Sequence, residues 1–107
     1  MGKEDSLISE AFKIFMLEAP EHAQAWSSLV QDLAKANALD PKTTSLAYLA
    51  VLASAGLLTG IPFHVQAAKE AGAARAEVIS AILIGLPAVG NRVTQALPAA
   101  IRAFGED

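Results

Sequence analysis

Residues 40–90 read DPKTTSLAYLAVLASAGLLTGIPFHVQAAKEAGAARAEVISAILIGLPAVG, and this stretch decides the fold. It opens on Asp40-Pro41, which predicts a helix start with Asp as the N-cap and Pro at the first helical position. The helix is expected to run to about Ala55 or Gly56. Neither sustained period-two alternation nor an Asn-Gly or Asp-Gly turn indicates a strand. The stretch therefore predicts an all-α protein.

Working outward from this helix, proline and glycine divide the rest of the chain into further helices. The expected segments are Ser6–Glu18, a second helix opening at Pro20, a fourth from Pro62 to Gly72, a fifth from Ala76 to before Pro87, and a sixth from Asn91 to Phe104 that Pro98 kinks or splits. Connections are short, and no repeat or linker separates the segments. We predict a single domain over residues 1–107, built as a bundle of roughly six helices.

The apolar content is high for a single small domain. Apolar residues make up 53% of the 107 residues, mean hydropathy is +0.39, and Thr43 to Ala68 contains no Asp, Glu, Lys or Arg. Leu46–Phe63 approaches the length of a membrane span. Gly, Thr and Pro residues within it indicate instead a helix end and a new start, so we predict a buried helical hairpin and no membrane association. The excess apolar surface then predicts a homo-oligomer.

Composition excludes several functions. The chain has no cysteine, which removes disulfides, thiolate metal sites and thiol nucleophiles. A net charge of −3 with scattered basic residues argues against nucleic-acid binding. His22 lies four residues before Trp26, and one histidine supplies too few ligands for a metal, so we predict no metal and no cofactor. The charged N-terminal residues lack a signal-peptide pattern, and a cytoplasmic location is expected.

His64 is the sharpest candidate for a catalytic group. Apart from Tyr48 and the Ser and Thr hydroxyls, it is the only ionisable residue in the uncharged stretch. It follows Pro62 by two positions, so it is expected in the first turn of a helix, where both the helix dipole and burial disfavour the imidazolium. A neutral imidazole could act as acid or base, or bind a ligand. A buried histidine bonded to a neighbouring hydroxyl or carbonyl is an equally good interpretation of the residues alone.

Five further residues are weaker binding candidates. Ser45 and Tyr48 share a helix face, and with Thr59 they could contact His64, although helix hydroxyls more often bond locally. Asn91 and Arg92 follow Gly90 at an expected helix start. Asn91 is explained as an N-cap, whereas Arg92 in a first turn gains nothing from the helix dipole and could reach a carboxylate on a ligand or partner subunit.

The central stretch, taken as a whole, resembles the carboxymuconolactone decarboxylase family, which includes the alkylhydroperoxidase AhpD. The resemblance covers about residues 39–103 and leaves residues 1–38 as two N-terminal helices. It is carried by Asp40-x-Lys42-Thr43, an alanine-rich helix, His64-Val65-x-Ala67-Ala68-x-x-Ala71-Gly72-Ala73, and Arg75-x-Glu77-Val78-Ile79-x-Ala81-Ile82-Leu83. It implies an AhpD-like helical bundle that assembles into trimers or hexamers, and we predict a hexamer.

The resemblance also locates what this chain lacks. Redox members carry a glutamate and a Cys-x-x-Cys pair ending four residues before the histidine, positions that correspond here to Ser45, Leu57 and Gly60. Of that proton relay only His64 remains. Peroxide reduction needs a thiolate, a resolving thiol and a base, so we do not expect thiol peroxidase activity.

Two classes of function remain. The first is a small-molecule binder or enzyme of the acid–base type, decarboxylase-like (a lyase) if catalytic, with His64 in an apolar pocket and Lys42 and Arg92 as the nearest basic groups for an anionic lactone. The second is a non-catalytic structural or interaction protein, a homo-oligomer that kept the fold after losing the site. An open pocket at His64 would favour the first, and a tightly packed His64 bonded to backbone would favour the second.

Overall fold

The computed structural model describes residues 7–106, and all of its regular structure there is helical. The α-helices are α1 (Glu10–Glu18), α2 (Pro20–Ala36), α3 (Pro41–Ala55), α4 (Ile61–Glu70), α5 (Arg75–Leu83), α6 (Leu86–Val89) and α7 (Leu97–Phe104). Two 3₁₀ segments, Leu58–Gly60 and Gly90–Ala96, precede α4 and α7. The all-α prediction is confirmed for these residues.

The chain divides into two compact units between Leu39 and Asp40. In the first unit, the Ser9 side chain caps α1 by accepting a 3.2 Å hydrogen bond from the Phe12 amide, and Pro20 begins α2. No residue of α1 or α2 is buried. Large apolar side chains such as Leu17, at 77% exposure, face away from any core. The single-domain organisation stays a prediction.

The second unit is built around α3. Its N-terminus is capped as predicted, because the Asp40 carboxylate accepts a hydrogen bond from the Thr43 amide at 3.5 Å. The pKa of Asp40 is lowered chiefly by a hydrogen bond with the Thr43 side chain, and the bond from the Thr43 amide lowers it further. At its C-terminus Gly56 adopts a left-handed φ of 75°, and the Leu57 amide donates to the Leu52 carbonyl at 2.9 Å. That pattern is the Schellman motif, which satisfies the last carbonyls of a helix.

The core of the second unit comes from every long element in it. Helix α3 packs against α4 and α5, and α4 packs against α7. The largest fully buried side chains are Leu49, Ile61, Val65, Val78, Ile82 and Val93. Each of these buries enough apolar surface to stabilise the fold by about 1.5–3 kcal/mol.

Lys69 joins α4 to the C-terminal end of α7. Its ammonium donates a 2.8 Å hydrogen bond to the Phe104 carbonyl and lies 4.8 Å from the centre of the Phe104 ring. A cation at this position satisfies a free helix carbonyl and complements the helix dipole. The Phe104 side chain is itself buried, so the contact fixes the last helix against the core.

The last third of the chain differs from the expected helices. The predicted fifth helix ends at Leu83 and is followed by the short α6, which contains Pro87. The predicted sixth helix is a 3₁₀ segment followed by α7, which begins at Leu97 with Pro98 in its first turn. Proline fits a first turn because its missing N–H is not needed there. The helix count therefore differs slightly from six, and the expected start of the first helix at Ser6 lies outside the described residues.

One run of the described chain, residues 75–104, is long and apolar enough to cross a membrane by length and composition alone. It is not a straight rod, because turns and a 3₁₀ segment interrupt it and α7 packs back against α5. A span of this length would instead hold its two ends far apart. The predicted span-like stretch at Leu46–Phe63 is also broken, at Gly56 and Leu57.

The left-handed conformation of Gly56 in the Schellman motif can be tested by its effect on stability. Replacing Gly56 with alanine forces a Cβ into the left-handed region and should lower the free energy of unfolding by about 1–2 kcal/mol. Gly60→Ala is the matched control, because Gly60 has φ −86° and its added Cβ would meet Leu52 at an ordinary 3.4 Å. Urea unfolding compares the two variants. Equal losses would contradict the assigned conformation of Gly56.

Candidate functional site

His64 lies on α4 at a position fixed by the core. Ile61 and Val65, three residues before it and one residue after it, have no exposed surface, and Ala68 one turn further on is also fully buried. These three side chains set the rotation of α4 about its axis. His64 is left at the edge of the core, half-buried. Its ring is therefore held by packing and still reachable from solvent.

Two aromatic rings flank the imidazole. The centre of the Tyr48 ring, from α3, lies 4.5 Å from the centre of the His64 ring at an angle of 50° between the planes. Phe63 lies 5.2 Å away, edge to face at 74°. Tyr48 and Phe63 are 44% and 40% exposed. The three rings form an aromatic cluster, named here the His64 cluster, whose outer surface is open.

Burial lowers the pKa of His64 from its ordinary value of 6.5, because an apolar environment disfavours the imidazolium. The imidazole is therefore neutral near pH 7, with one nitrogen as a donor and the other as an acceptor. Within residues 7–106 neither nitrogen makes a hydrogen bond to another protein group, and no fully buried polar side-chain atom lacks a partner there. Both nitrogens are thus able to bond a molecule from outside.

Of the weaker candidates, Tyr48 contacts His64 through its ring. Ser45 is partly buried one turn before Tyr48, and Thr59 is exposed in the 3₁₀ segment that precedes α4. In the described part of the chain no hydrogen bond joins either hydroxyl to His64. Phe63 was not recognised from the sequence. Helical periodicity marks which residues face the core, and it gives no signal for an aromatic side chain that stays partly exposed.

Asn91 and Arg92 do not occupy the positions that their expected roles require. Asn91 is inside a 3₁₀ segment and not at an α-helix N-cap; its side-chain oxygen accepts from the Thr94 hydroxyl at 3.3 Å. The guanidinium of Arg92 lies over Gly56, where a Cβ would be 2.9 Å from Nη2. This places a cation at the C-terminal end of α3, which the helix dipole favours. The position of Arg92 thus has a structural explanation.

Lys42, the other basic group considered, is also engaged. Its ammonium is 2.9 Å from the Glu77 carboxylate, and this is an ion pair between the first turns of α3 and α5. The other Glu77 oxygen accepts a 2.9 Å hydrogen bond from the Ala74 amide. The Ala74 bond first, and Lys42 second, lower the pKa of Glu77. These contacts join the two helices at a solvent-exposed edge.

One of the two positions matched to the redox cysteines, Gly60, lies beside the His64 cluster. A Cβ on Gly60 would be 3.9 Å from His64 Cδ2 and 3.4 Å from a Leu52 methyl carbon. Leu57 is 56% exposed at the end of α3. Position 60 therefore adjoins the imidazole, as a thiol–histidine relay would require. Neither residue supplies sulfur.

Three surface clefts stand out in the described residues, and His64 lines none of these three. A cleft of about 440 Å³ runs between α3 and α5 with a lining of mostly small apolar residues, among them Ala47, Ala50 and Ile84. A second, of about 460 Å³, lies between α1 and α2 beside Trp26. The third is near the end of α7. Nowhere in residues 7–106 do three His, Asp or Glu side chains meet in a group that could hold a metal ion.

Comparison with known families identifies the class of protein. The sequence model of the carboxymuconolactone decarboxylase family matches residues 20–102, most of the chain. The chain therefore belongs to the carboxymuconolactone decarboxylase family, which confirms the predicted resemblance. The match also begins earlier than Leu39 and takes in α2. Comparisons with curated proteins and with solved structures give no significant match.

The protonation of His64 can be measured directly. Because burial disfavours the imidazolium, we expect the imidazole to titrate with a midpoint below 6.5. Histidine ring resonances followed by NMR between pH 4.5 and 8 test this, and the His64→Gln variant assigns the signal. A midpoint at or above 6.5 would show that the ring is well hydrated or paired with an anion.

The same shift predicts a pH dependence of stability. Between the lowered folded pKa and 6.5 the unfolded chain binds more protons than the folded chain, so stability falls as pH decreases through this window. Wild type should therefore lose more unfolding free energy than His64→Gln between pH 7.5 and 5.5. Asp40 and Glu77 act on both proteins alike at lower pH. Equal losses in urea unfolding would contradict the burial of the imidazole.

Proposed function

We propose that this protein binds or transforms a small organic molecule at the His64 cluster. His64 would act as an acid or base, or as a hydrogen-bonding group, and no thiol chemistry would be involved. The observation that supports this most is the placement of a neutral, half-buried imidazole between two partly exposed aromatic rings. The aromatic rings of Tyr48 and Phe63 can stack on flat apolar groups, and the imidazole can donate or accept a hydrogen bond. The ligand class that fits is a planar organic molecule with at least one polar group.

The chemistry at such a site follows from what the chain contains. With no cysteine, peroxide cannot be reduced by a thiolate and a resolving thiol, whatever the activity of other family members. A neutral imidazole can take a proton from an acidic carbon or deliver one to a leaving oxygen. If the protein is an enzyme, a lyase or another acid–base activity is therefore the class we propose.

Decarboxylation of an anionic lactone has less support than binding of an uncharged molecule. Such a substrate would need cations to hold its carboxylates. Lys42 is paired with Glu77, and Arg92 lies over the end of α3. Neither contact involves the His64 cluster. Ser45, Thr59 and Asn91 remain weaker binding candidates, because none of them is hydrogen-bonded to His64 and a ligand would have to contact them separately.

We also propose that the protein is a cytoplasmic homo-oligomer, a hexamer or a trimer, with no nucleic-acid or membrane partner. The support is the large number of exposed apolar side chains, of which Leu17, Leu33 and Trp26 in the first unit are between 47% and 77% exposed. A soluble chain rarely leaves so much apolar surface uncovered. A second copy of the chain is the simplest cover for it.

A non-catalytic interaction protein is the second candidate function. It is favoured by one observation, that none of the three clefts is lined by His64. In that case the fold would be kept for assembly, and the His64 cluster would be an edge of the packed core. The two candidates differ in what removal of the imidazole does to ligand binding.

Ligand binding by variants separates the two functions. Wild type, His64→Ala and Tyr48→Ala are titrated calorimetrically with a panel of small aromatic and lactone compounds, each offered with and without a carboxylate. We expect at least one uncharged compound to bind wild type and to lose about tenfold in affinity in either variant. His22→Ala, on α2, is the matched control and should bind as wild type does. Equal binding by all four proteins would remove the site.

The assembly is tested by light scattering. At micromolar concentration we expect a mass corresponding to three or six copies of the 11.1 kDa chain. A stable monomer under the same conditions would contradict the homo-oligomer. It would leave the ligand-binding proposal unaffected, because that rests on the His64 cluster alone.

A further inference from the structure

The third cleft differs from the other two in its charge. It is a shallow depression of about 370 Å³ lined by Arg75, Ile101, Arg102, Gly105 and Glu106. Two of these five residues carry a guanidinium, whereas the other two clefts hold no arginine. The feature lies where the beginning of α5 meets the end of α7. Paired guanidinium groups in a concave surface are the usual means of binding carboxylate or phosphate.

Arg75 lies at a position where a helix does not favour a cation. It is the first residue of α5, where the helix dipole opposes a positive charge. Its guanidinium makes no ion pair and no hydrogen bond with any residue of the described chain. No group of residues 7–106 therefore occupies its five N–H donors. The residue is partly buried and lines the cleft.

Arg102 and Glu106 complete the charge pattern. Arg102 lies in the last turn of α7, where a cation is favourable, and its guanidinium too has no protein partner within residues 7–106. Glu106 lines the same cleft but lies within ion-pair distance of neither arginine. The lining thus carries two positive charges and one negative charge, and the positive charges are not neutralised by contact.

We propose that the cleft formed by Arg75 and Arg102 is a binding site for a small anion of the oxyanion class, a carboxylate or a phosphate group. Both guanidinium groups would donate to the oxyanion, and Gly105, which also lines the cleft, adds no side chain that could block it. Glu106 opposes the ligand and keeps the affinity low. This site is independent of the His64 cluster, because no residue is shared between them.

NMR titration tests the site with the full chain. Inorganic phosphate and succinate are added separately at constant ionic strength, and the side-chain Nε–Hε signals of the two arginines report binding, assigned with Arg75→Gln and Arg102→Gln. Saturable shifts are expected with at least one of the two probes, and the stronger probe identifies the source of the oxyanion. Sodium chloride in place of either probe controls for general screening.

The arginine variants and the Glu106 variant are expected to change the anion affinity in opposite directions. Arg75→Gln and Arg102→Gln should each weaken binding about tenfold, since each removes a charge-assisted hydrogen bond. Lys35→Gln removes one positive charge at an exposed position on α2, and it should leave the affinity unchanged. Glu106→Gln should strengthen it by roughly twofold to threefold, because it removes a like charge. Shifts that do not saturate, or a loss in Lys35→Gln equal to that in Arg75→Gln, would overturn the site.

Discussion

The packing of α4 against α3 is the interaction on which the rest of the second unit depends. Ile61 and Val65 have no exposed surface, and Leu49 on the facing helix has none either. Because α4 cannot rotate without exposing these side chains, the residues between them have fixed directions. His64 is one of those residues. Its contact with Tyr48 and its partial burial therefore follow from the core, and the lowered pKa of the imidazole follows from the burial.

Local signals in the sequence predicted the part of the fold that local chemistry determines. Asp40 caps α3 and Gly56 ends it, as their residue types required. Gly72 closes α4 by the same motif, with the Ala73 amide bonded to the Ala68 carbonyl at 2.9 Å. The segment after Leu83 was predicted less well. There 3₁₀ geometry replaces the start of a helix, and the choice between i→i+3 and i→i+4 bonds depends on tertiary packing around Val93, which a sequence pattern does not contain.

The candidate site also has a part that local sequence predicted and a part that depends on tertiary contacts. His64 stood out because it is the one imidazole in a long uncharged stretch, and its proximity to position 60 agrees with the family resemblance. Arg92 could not be placed from sequence, because its contact with Gly56 joins residues far apart in the chain. Lys69 and Phe104 were missed for the same reason. Long-range contacts of single polar side chains leave no periodicity, so they are visible only in the folded structure.

In this cysteine-free member of the family, a neutral, partly exposed imidazole lies at an aromatic cluster. A crystal structure of the protein, soaked with the uncharged compound that binds best, tests this arrangement most directly. We expect density beside the His64 ring, with one imidazole nitrogen within hydrogen-bond distance of the ligand and Tyr48 in contact with it. A tightly packed His64 bonded to a backbone carbonyl, with no space beside it in the crystal, would contradict a binding site at the His64 cluster.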